Sequence, residues 1–443
     1  MAKINPEIFK AYDIRGIYPG QLNEEVIYKI GQALVDFLKA KAIIVGRDMR
    51  LSSPSLFKAL TKGIINQGAD VLDLGLVSPD CVYFASGKLN LPGIMISASH
   101  NPKEYNGLKV VKKGVNVIRG KEIAKIIKKF GFTKSKKNGA IKKIDIWPDY
   151  LSHIFSFAEI NKIKSLKVVV DAGNGMAGKV IPLLEPKLPV EIIPLNFNLD
   201  GNFPVHSPNP LLKGVTDQLS REVKAKKADL GFIFDGDADR IFLIDEKGNF
   251  VRADITLLLL AKYFLEKNPG AGIAYNVICS KAVPEFIKKW GGKPIRTPVG
   301  FVNVKEGMIQ NKGMLGGELS AHYSFKDNFY SDSGFIAFLI LLQIISETGK
   351  KASEMVKELN LYTKTEEINF EIEDKEAILN KVKQQYSDGK QDYLDGLTVE
   401  YKDWWFNLRP SQTEPLLRLN LEAKTEKLMK QKKAELLKII QAL

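Results

Sequence analysis

Three aspartates at alternate positions directly after an apolar run give the clearest sign of chemistry in this sequence. Residues 230–234 read Leu-Gly-Phe-Ile-Phe, and they lead into Asp235-Gly236-Asp237-Ala238-Asp239-Arg240. Hard divalent cations prefer oxygen ligands, and carboxylates two residues apart on a tight loop can converge on one ion. The segment therefore predicts a divalent-metal site, with Arg240 as a cation suited to a phosphate.

Two other interpretations of this segment remain open. An EF-hand calcium loop would have Glu246 at its twelfth position, but Arg240 stands at the sixth position, where that loop needs glycine. The segment could also be a solvated acidic turn that binds no ion. We favour the metal site.

A serine-containing turn follows another strand-like run. Residues 93–96 lead into Ser97-Ala98-Ser99-His100-Asn101-Pro102, and Lys109 comes soon after. The carboxyl ends of strands in α/β sheets are where ligands bind. A serine hydroxyl is a poor nucleophile alone, whereas a phosphoserine is a stored phosphoryl donor, and His100 or Lys109 could carry a proton or a charge. Ordinary turn chemistry explains the segment equally well.

Three further clusters are weaker on their own. In Gly317-Glu318-Leu319-Ser320-Ala321-His322, an extended backbone would point the carboxylate, hydroxyl and imidazole to one side, where they suit sugar hydroxyls. The loop Arg409-Pro410-Ser411-Gln412-Thr413 could wrap a phosphate, or could be a capped turn. Arg15 is a candidate phosphate ligand or a surface arginine beside a turn.

The elements that must position these clusters alternate between strand-like and helical patterns, as in parallel α/β sheets. We expect strands at 42–45, 70–74, 93–96, 167–170, 229–234 and 272–278, and helices at 55–66 and 255–265. The last part reads as a small α+β domain, with strands at 368–372, 397–401 and 416–421 and helices at 375–386 and at the end. The apolar run 335–345 is shorter than the ~20 residues of a membrane helix, so we expect a buried helix.

The expected domain boundaries lie near residues 150, 250 and 360. Residues 1–150 would carry the serine loop, 151–250 the aspartate loop, 251–360 the sugar-binding loop and 361–443 the phosphate-binding loop. Three successive α/β blocks also suggest repetition of one fold unit.

Composition limits the class of protein. Among 443 residues, 45% are hydrophobic and 26% charged, which excludes a disordered or fibrous chain. The net charge of +14 suits either a polyanion-binding surface or a lysine-rich surface that attracts phosphorylated substrates. The basic segment 134–143 lacks aromatic residues for stacking on bases, which disfavours nucleic-acid binding.

The cysteines and the N-terminus bear on the compartment. Cys81 and Cys279 form no disulfide framework and read as free thiols in a reducing cytoplasm. The first residues lack the apolar stretch of a secretory signal. We expect a cytoplasmic protein that does not bind membranes.

Taken together and in this order, the motifs resemble those of the α-D-phosphohexomutase family across essentially the whole chain. The resemblance rests on Tyr-Asp-Ile-Arg-Gly at 12–16, Ser-Ala-Ser-His-Asn-Pro at 97–102, Asp-Gly-Asp-Ala-Asp-Arg at 235–240, Gly-Glu-Leu-Ser-Ala-His at 317–322 and Arg-Pro-Ser-Gln-Thr-Glu-Pro at 409–415. It implies three related α/β domains with mixed sheets and a smaller C-terminal α+β domain around a central active-site cleft.

The resemblance also implies roles for individual residues. Ser99 would be the phosphorylated residue, and its phosphate would bind Mg²⁺ together with Asp235, Asp237 and Asp239. Arg15, Lys109 and Arg240 would line the transfer site, where His100, Lys109 and His322 are candidates for moving the proton. The substrate would be held by Thr297, Gly300, Glu318, Ser320, Arg409, Ser411, Gln412 and Thr413.

The implied activity is reversible transfer of a phosphoryl group between the 6- and 1-positions of a hexose, through a hexose 1,6-bisphosphate that also serves as activator. Ala321, where glycine is usual, looks most like bacterial phosphomannomutases, and Leu319 argues against the phosphoglucosamine mutase branch. We therefore expect mannose 6-phosphate and mannose 1-phosphate as substrates, with glucose phosphates as second substrates.

The alternatives are phosphoglucomutase or phosphoglucosamine mutase as the main activity and, outside enzymes, a basic polyanion-binding protein. The expected partners are small phosphosugars, without nucleic acid or membrane, and the expected state is a monomer or weak homo-oligomer.

Overall fold

The structure is a computed structural model, and it describes residues 4–131, 135, 137–411 and 416–441. The chain forms two compact units, Met1–Val251 with Ser320–Ser353 and Arg252–Leu319 with Glu354–Leu443. In the described parts of the chain, no helix combines the length and the apolar character that crossing a membrane requires.

The first unit begins with a mixed sheet of strand order β1-β5-β4-β2-β3-β7, in which β6 also pairs with β5. Its strands are β1 Ile14–Ile17, β2 Ala42–Arg47, β3 Asp70–Leu76, β4 Gly93–Ile96, β5 Tyr105–Lys112, β6 Asn116–Ile118 and β7 Ile141–Lys143. Its helices are α1 Glu24–Leu38, α2 Ser53–Asn66, α3 Pro79–Leu89, α4 Gly120–Lys129 and α5 Trp147–Phe155. Strands β2, β3, β4 and β7 run parallel, whereas β5 is antiparallel to β4 and β1.

Local chemistry explains these elements. The Asn23 side chain accepts a hydrogen bond from Val26 N and so caps α1, and Glu24 and Glu25 stabilise its positive N-terminal end. The apolar run in β2 is buried on both faces, as is usual for an interior parallel strand. Because β2 and β4 are parallel neighbours, their carboxyl ends lie at the same edge of this sheet. The Ser99 loop follows β4 at that edge.

A second sheet in the first unit has the order β12-β11-β10-β8-β9. Its strands are β8 Leu166–Asp171, β9 Val190–Leu195, β10 Leu230–Phe234, β11 Ile241–Asp245 and β12 Phe250–Val251, with helices α6 Ala177–Leu184 and α7 Asp217–Lys226. Strand β10 runs parallel to β8 and antiparallel to β11. The aspartate loop is thus the turn of the β10–β11 hairpin.

The second unit begins with three parallel strands in the order β14-β13-β15. Its elements up to Leu319 are α8 Ala253–Lys267, β13 Gly272–Asn276, α9 Ala282–Lys289, β14 Lys293–Thr297, α10 Phe301–Asn311 and β15 Leu315–Gly317. The chain then contributes to the first unit β16 Tyr323–Phe325, β17 Ser331–Asp332 and α11 Gly334–Thr348, and continues with α12 Ala352–Leu359. Helix α11 is the expected buried apolar helix, and its Phe335 and Phe338 contact Phe234 and Phe232 of β10.

The C-terminal part is an antiparallel sheet of order β18-β23-β22-β21-β20, in which β19 also pairs with β23. Its elements are β18 Thr363–Lys364, β19 Ile368–Glu371, α13 Lys375–Gln385, β20 Lys390–Asp392, β21 Leu397–Glu400, β22 Trp404–Pro410, β23 Leu416–Ala423 and α14 Glu426–Gln441. Leu436 and Ile440 of α14 join the buried core of this sheet.

The predicted fold class is confirmed: the chain has α/β domains with mixed sheets and a C-terminal α+β domain. The predicted strands and helices are present, with ends that differ by a few residues. One such difference is the strand expected at 272–278, which ends at Asn276 because Val277 and Ile278 enter a turn. Apolar side chains are buried in turns as well as in strands, so hydropathy alone cannot place such an end.

Candidate active site

The Ser99 loop holds a buried serine in a strained backbone conformation. Ser99 is 1% exposed and has φ of 51°, in the left-handed region that non-glycine residues seldom adopt. Its N–H donates to Ser97 Oγ at 2.9 Å, and this bond stabilises the turn. Backbone strain of this kind persists only where the surroundings impose it.

The aspartate loop brings three carboxylates together. One oxygen from each of Asp235, Asp237 and Asp239 lies within 4.8 Å of the others, and all three residues are buried. Ala238, at φ of 66°, forms the tight hairpin turn. Since β11 begins at Ile241, the segment is a hairpin turn with buried carboxylates, which excludes the EF-hand and the solvated-turn interpretations.

The two loops meet at Ser99. Ser99 Oγ donates to Asp235 Oδ2 at 2.7 Å, across 136 positions of sequence. Lys109 on β5 donates to Asp237 Oδ2 at 2.7 Å and to Asp239 Oδ2 at 2.5 Å. The Ser99 hydroxyl therefore bonds one carboxylate of the trio, and the buried Lys109 ammonium bonds the other two.

Further cationic groups surround this centre. Arg240 Nε lies 3.2 Å from His322 Nε2 and 3.5 Å from Asp235 Oδ2, and the backbones of Arg240 and His322 pair in an isolated bridge. Arg15 Nε donates to Asp13 Oδ2 at 2.8 Å, while its Nη1 donates to the carbonyl of Ala98 in the serine loop. The predicted Arg15, Lys109, Arg240 and His322 are thus all at the site.

Burial and charge set the protonation states here. Burial, with Asp239 and Asp237 nearby, raises the pKa of Asp235 to about 7. For Asp239 burial acts in the same direction, but Lys109 and His322 outweigh it and hold its pKa well below the usual value. Burial would lower the pKa of Lys109, yet Asp237 and Asp239 raise it well above normal. Lys109 is therefore a permanent cation at neutral pH.

His100 lies next to the serine hydroxyl. Its Nδ1 is 3.2 Å from Ser99 Oγ. Burial, together with the charges of Arg240 and Arg15, lowers its pKa well below the ordinary value, so the ring is neutral at pH 7.

The donor set fits a hard divalent cation. Asp237 Oδ1 and Asp239 Oδ1 are buried and have no hydrogen-bond partner among the described residues. Unsatisfied buried carboxylate oxygens are costly, and a cation coordinated by oxygen would satisfy them.

Sequence reasoning missed two residues of this region, Asp332 and Arg50. Asp332 Oδ2 lies 3.7 Å from His322 Nε2, and burial raises the pKa of Asp332 to about 6. Arg50 donates to the carbonyl of Ser99 at 2.8 Å. Arg50 stands just after the carboxyl end of β2, at the sheet edge where the Ser99 loop also begins, and this position was the available signal.

The predicted one-sided arrangement of Glu318, Ser320 and His322 is wrong. Leu319 and Ser320 form a turn and Ala321 has φ of 65°, so this backbone is not extended. Ala321 thus adopts a left-handed conformation that glycine would adopt with less strain. Ser320 Oγ instead lies 3.1 Å from His322 Nδ1.

In the second unit, Glu318 lies with the loop that contains Thr297 and Gly300. Glu318 Oε2 accepts hydrogen bonds from Gly300 N and from Asn276 Nδ2, both at 3.2 Å. Thr297 ends β14 and is buried. The structure thus brings these predicted sugar-binding residues together.

Arg409 lies on β22 in the same unit. It is 3% exposed, its Nη2 donates to Glu367 Oε2 at 2.9 Å, and its Nε has no hydrogen-bond partner among the described residues. Ser411 N donates to Leu416 O at 2.8 Å. The predicted Gln412 and Thr413 lie outside the described residues.

A buried serine beside three aspartates and surrounding cations is an arrangement suited to phosphoryl transfer, which depends on positioning and on neutralised charge. Four models of the phosphoglucomutase/phosphomannomutase family match the chain: alpha/beta/alpha domains I, II and III at residues 6–136, 148–248 and 252–362, and the C-terminal domain at 367–439.

Individual relatives agree with this. The chain is 39% identical over 455 residues to a phosphomannomutase of Vibrio cholerae, covering 98% of both chains. It is 38% identical over 441 residues to a phosphomannomutase of Methanocaldococcus jannaschii, covering 98% of this chain and 97% of the relative. A crystal structure of a phosphoglucomutase/phosphomannomutase family protein from Burkholderia thailandensis superposes with a TM-score of 0.90 at 31% identity, covering 99% and 98% of the two chains. The chain belongs to the phosphoglucomutase/phosphomannomutase family and is an isomerase that acts as a hexose phosphate mutase.

Proposed function

We propose that the chain interconverts mannose 6-phosphate and mannose 1-phosphate, with glucose phosphates as second substrates, through a phosphoserine at Ser99. The observation that carries this proposal is the 2.7 Å contact between Ser99 Oγ and Asp235 Oδ2 at the edge of the aspartate trio. The relatives at 39% and 38% identity named phosphomannomutase support mannose as the preferred hexose.

Asp235, Asp237 and Asp239 would hold Mg²⁺ together with an oxygen of the Ser99 phosphate. When bound, the ion supplies positive charge for the phosphoryl group in flight. The buried oxygens Asp237 Oδ1 and Asp239 Oδ1, which accept no hydrogen bond from the described residues, support this assignment.

In the first half-reaction a free hydroxyl of the hexose monophosphate attacks phosphorus on Ser99. A new P–O bond to the sugar forms, and the bond from phosphorus to Ser99 Oγ breaks. The attacking sugar hydroxyl loses a proton, and Ser99 Oγ takes one up. The products are a hexose 1,6-bisphosphate and free Ser99. Lys109, Arg15 and Arg240 stabilise the charge on the phosphoryl oxygens.

In the second half-reaction Ser99 Oγ attacks the other phosphate of the turned bisphosphate, and the sugar leaves as the isomeric monophosphate. Ser99 must give up its proton in this step, and His100 Nδ1 at 3.2 Å is within the distance that proton transfer requires. His322 and Lys109 remain further candidates for proton transfer on the sugar side, although the paired ammonium of Lys109 is better suited to hold charge.

Sugar and distal phosphate would be held by the remaining predicted residues. Glu318, which lies beside Gly300, would accept hydrogen bonds from ring hydroxyls in both orientations of the sugar, and Ser320 and Thr297 would contribute hydroxyl groups. Arg409, whose Nε has no hydrogen-bond partner among the described residues, would bind the phosphate that is not transferred, with Ser411, Gln412 and Thr413.

The test compares wild type with Ser99→Ala in assays with mannose 1-phosphate, glucose 1-phosphate and glucosamine 1-phosphate, each primed with a trace of the corresponding bisphosphate. Intact-mass and peptide analysis reports phosphate on Ser99. We expect phosphate on Ser99, loss of mutase turnover in Ser99→Ala, and the highest kcat/KM with mannose 1-phosphate. Near-normal turnover of Ser99→Ala would reject the phosphoserine. A kcat/KM that is higher with glucosamine 1-phosphate or glucose 1-phosphate than with mannose 1-phosphate would reject the mannose preference.

A further inference from the structure

Arg50 is a buried arginine whose terminal nitrogens both donate to the backbone of the serine loop. Its side chain is 0% exposed. Nη2 donates to the carbonyls of Ser99 at 2.8 Å and Asn101 at 2.6 Å, and Nη1 donates to those of Pro102 at 2.8 Å and Tyr105 at 3.0 Å. One guanidinium group therefore satisfies four backbone oxygens of the segment that contains Ser99.

The position of this guanidinium is itself fixed from two sides. Arg50 Nε lies 3.3 Å from Asp48 Oδ2, and the other oxygen of Asp48 accepts hydrogen bonds from Arg50 N and from Ser53 Oγ. The Phe203 ring faces the guanidinium, with its centroid 5.1 Å from the Arg50 Cζ. The Asp48 carboxylate and the Phe203 ring therefore both restrict the position of the Arg50 guanidinium.

Phe203 also reaches the aspartate loop. A Cβ placed on Gly236 would lie 3.4 Å from Phe203 Cε1, 3.1 Å from Pro208 Cβ and only 2.7 Å from Ser99 O. The carbonyl that Arg50 binds is thus in close contact with the loop that carries Asp235 and Asp237. A movement of Ser99 O would change the distance between the serine and the carboxylates.

We propose that Arg50 is a positioning residue for phosphoryl transfer: it holds the Ser99 loop in the left-handed conformation that directs Ser99 Oγ at Asp235. This inference rests on the proposed role of Ser99. A guanidinium group offers its N–H donors in a fixed plane, whereas a lysine offers three donors at one point and cannot reach four carbonyls in this arrangement. Displacement of a reacting group by about 1 Å costs on the order of 100-fold in rate.

The experiment compares Arg50→Lys with Arg47→Lys. Arg47 stands on the same stretch of chain, pairs with Asp73 at 3.1 Å and lies over Phe57, so the control removes a similar guanidinium from contacts outside the Ser99 loop. We expect kcat of Arg50→Lys to fall on the order of 100-fold. KM should change much less because the Arg50 side chain is fully buried and its donors are taken up by backbone carbonyls. Arg47→Lys should keep kcat within about threefold of wild type.

A second readout separates positioning from general destabilisation. In Arg50→Ala, millimolar guanidinium chloride should restore part of kcat, whereas methylammonium at equal ionic strength should not, since only the planar ion reproduces the donors. A melting temperature measured for every variant shows whether it is folded in the assay. If either Arg50 variant melts below the assay temperature, Phe203→Leu decides the question, because it removes the aromatic face and keeps apolar volume.

The outcomes are distinct. Loss of kcat in folded Arg50→Lys or in Phe203→Leu supports the proposal, and rescue by guanidinium strengthens it. The proposal is overturned if folded Arg50→Lys has the same kcat as Arg47→Lys. If an Arg50 variant is unfolded in the assay, an unchanged kcat of Phe203→Leu overturns the proposal instead. If wild type carries phosphate on Ser99 while Arg50→Lys turns over normally, only this inference fails; if Ser99→Ala remains active, the proposed function fails.

Discussion

Ser97 and Asp237 are joined by a hydrogen bond across 140 positions of sequence: Ser97 Oγ donates to Asp237 Oδ2 at 2.7 Å. Ser97 Oγ in turn accepts a hydrogen bond from the N–H of Ser99 at 2.9 Å. One hydroxyl thus ties the serine loop to the aspartate loop while it also stabilises the left-handed turn at Ser99.

Replacing Ser97 tests this connection. In Ser97→Ala the carboxylate of Asp237 loses a buried donor, and a hydrogen bond to a charged group contributes about 1.5–3 kcal/mol. We expect kcat to fall roughly tenfold or more and the melting temperature to fall by several degrees. Ser97→Thr keeps the hydroxyl and should stay close to wild type, so equal losses in both variants would contradict the assigned bond.

Lys109→Met should be severely destabilising and inactive. The change leaves Asp237 and Asp239 buried without their shared cation, and removing one partner of a buried ion pair costs about 3–5 kcal/mol. Chemical denaturation and the mutase assay measure both effects. Lys112→Met is the matched control, because Lys112 pairs with Glu122 where both side chains are 38% exposed, and such a pair contributes about 0–1 kcal/mol. Comparable stability losses in the two variants would be evidence against the buried role of Lys109.

Gly236→Ala should separate the two loops. The new Cβ would lie 2.7 Å from Ser99 O, which is backbone and can move only with the serine loop. We expect kcat to fall by at least about tenfold because a sub-ångström shift of the reacting groups is costly. Gly20→Ala serves as the control, since a Cβ there meets no atom within 4 Å. Full activity of Gly236→Ala would show that the loops are not held in this contact.

The stability of the protein should depend on Asp80 between about pH 4 and pH 6. Asp80 lies in the first turn of α3, is buried and accepts a hydrogen bond from Ser333 Oγ at 2.5 Å. Burial raises its pKa to about 6. The folded state therefore holds this proton at pH values where the unfolded chain has lost it. The stabilisation is complete below about pH 4 and declines as the pH rises toward 6, by about 3 kcal/mol in total.

Melting temperatures of Asp80→Asn and wild type across pH 4 to 7 test this dependence. The variant cannot ionise, so its stability relative to wild type should improve as the pH rises. Asp149→Asn, which removes an exposed carboxylate paired with Lys88, should show a small and nearly constant difference. A constant difference for Asp80→Asn as well would mean that Asp80 titrates normally.

Much of the fold follows from local patterns. Apolar runs such as 230–234, alternating with amphipathic helices, predicted the α/β domains and the α+β C-terminal domain. This was possible because buried strands and helices each require a characteristic spacing of apolar residues. Strand ends were less accurate, as at Asn276, because a buried turn and a buried strand have similar composition.

The candidate site was predictable where its residues are contiguous. Asp235, Asp237 and Asp239 lie on one turn, so their convergence depends only on the backbone between them. The geometry around Glu318, Ser320 and His322 was not predictable in this way, because the left-handed conformation of Ala321 redirects the chain.

By itself the sequence determined which chemical groups the protein carries, the order of its α/β and α+β parts and the family to which it belongs. Only the tertiary structure decided that Ser99 lies against Asp235, that Ser97 bonds Asp237, and that Arg50 binds the carbonyls of the serine loop. These contacts join residues from different strands, and their distances depend on how the sheets pack, which local residue patterns do not encode.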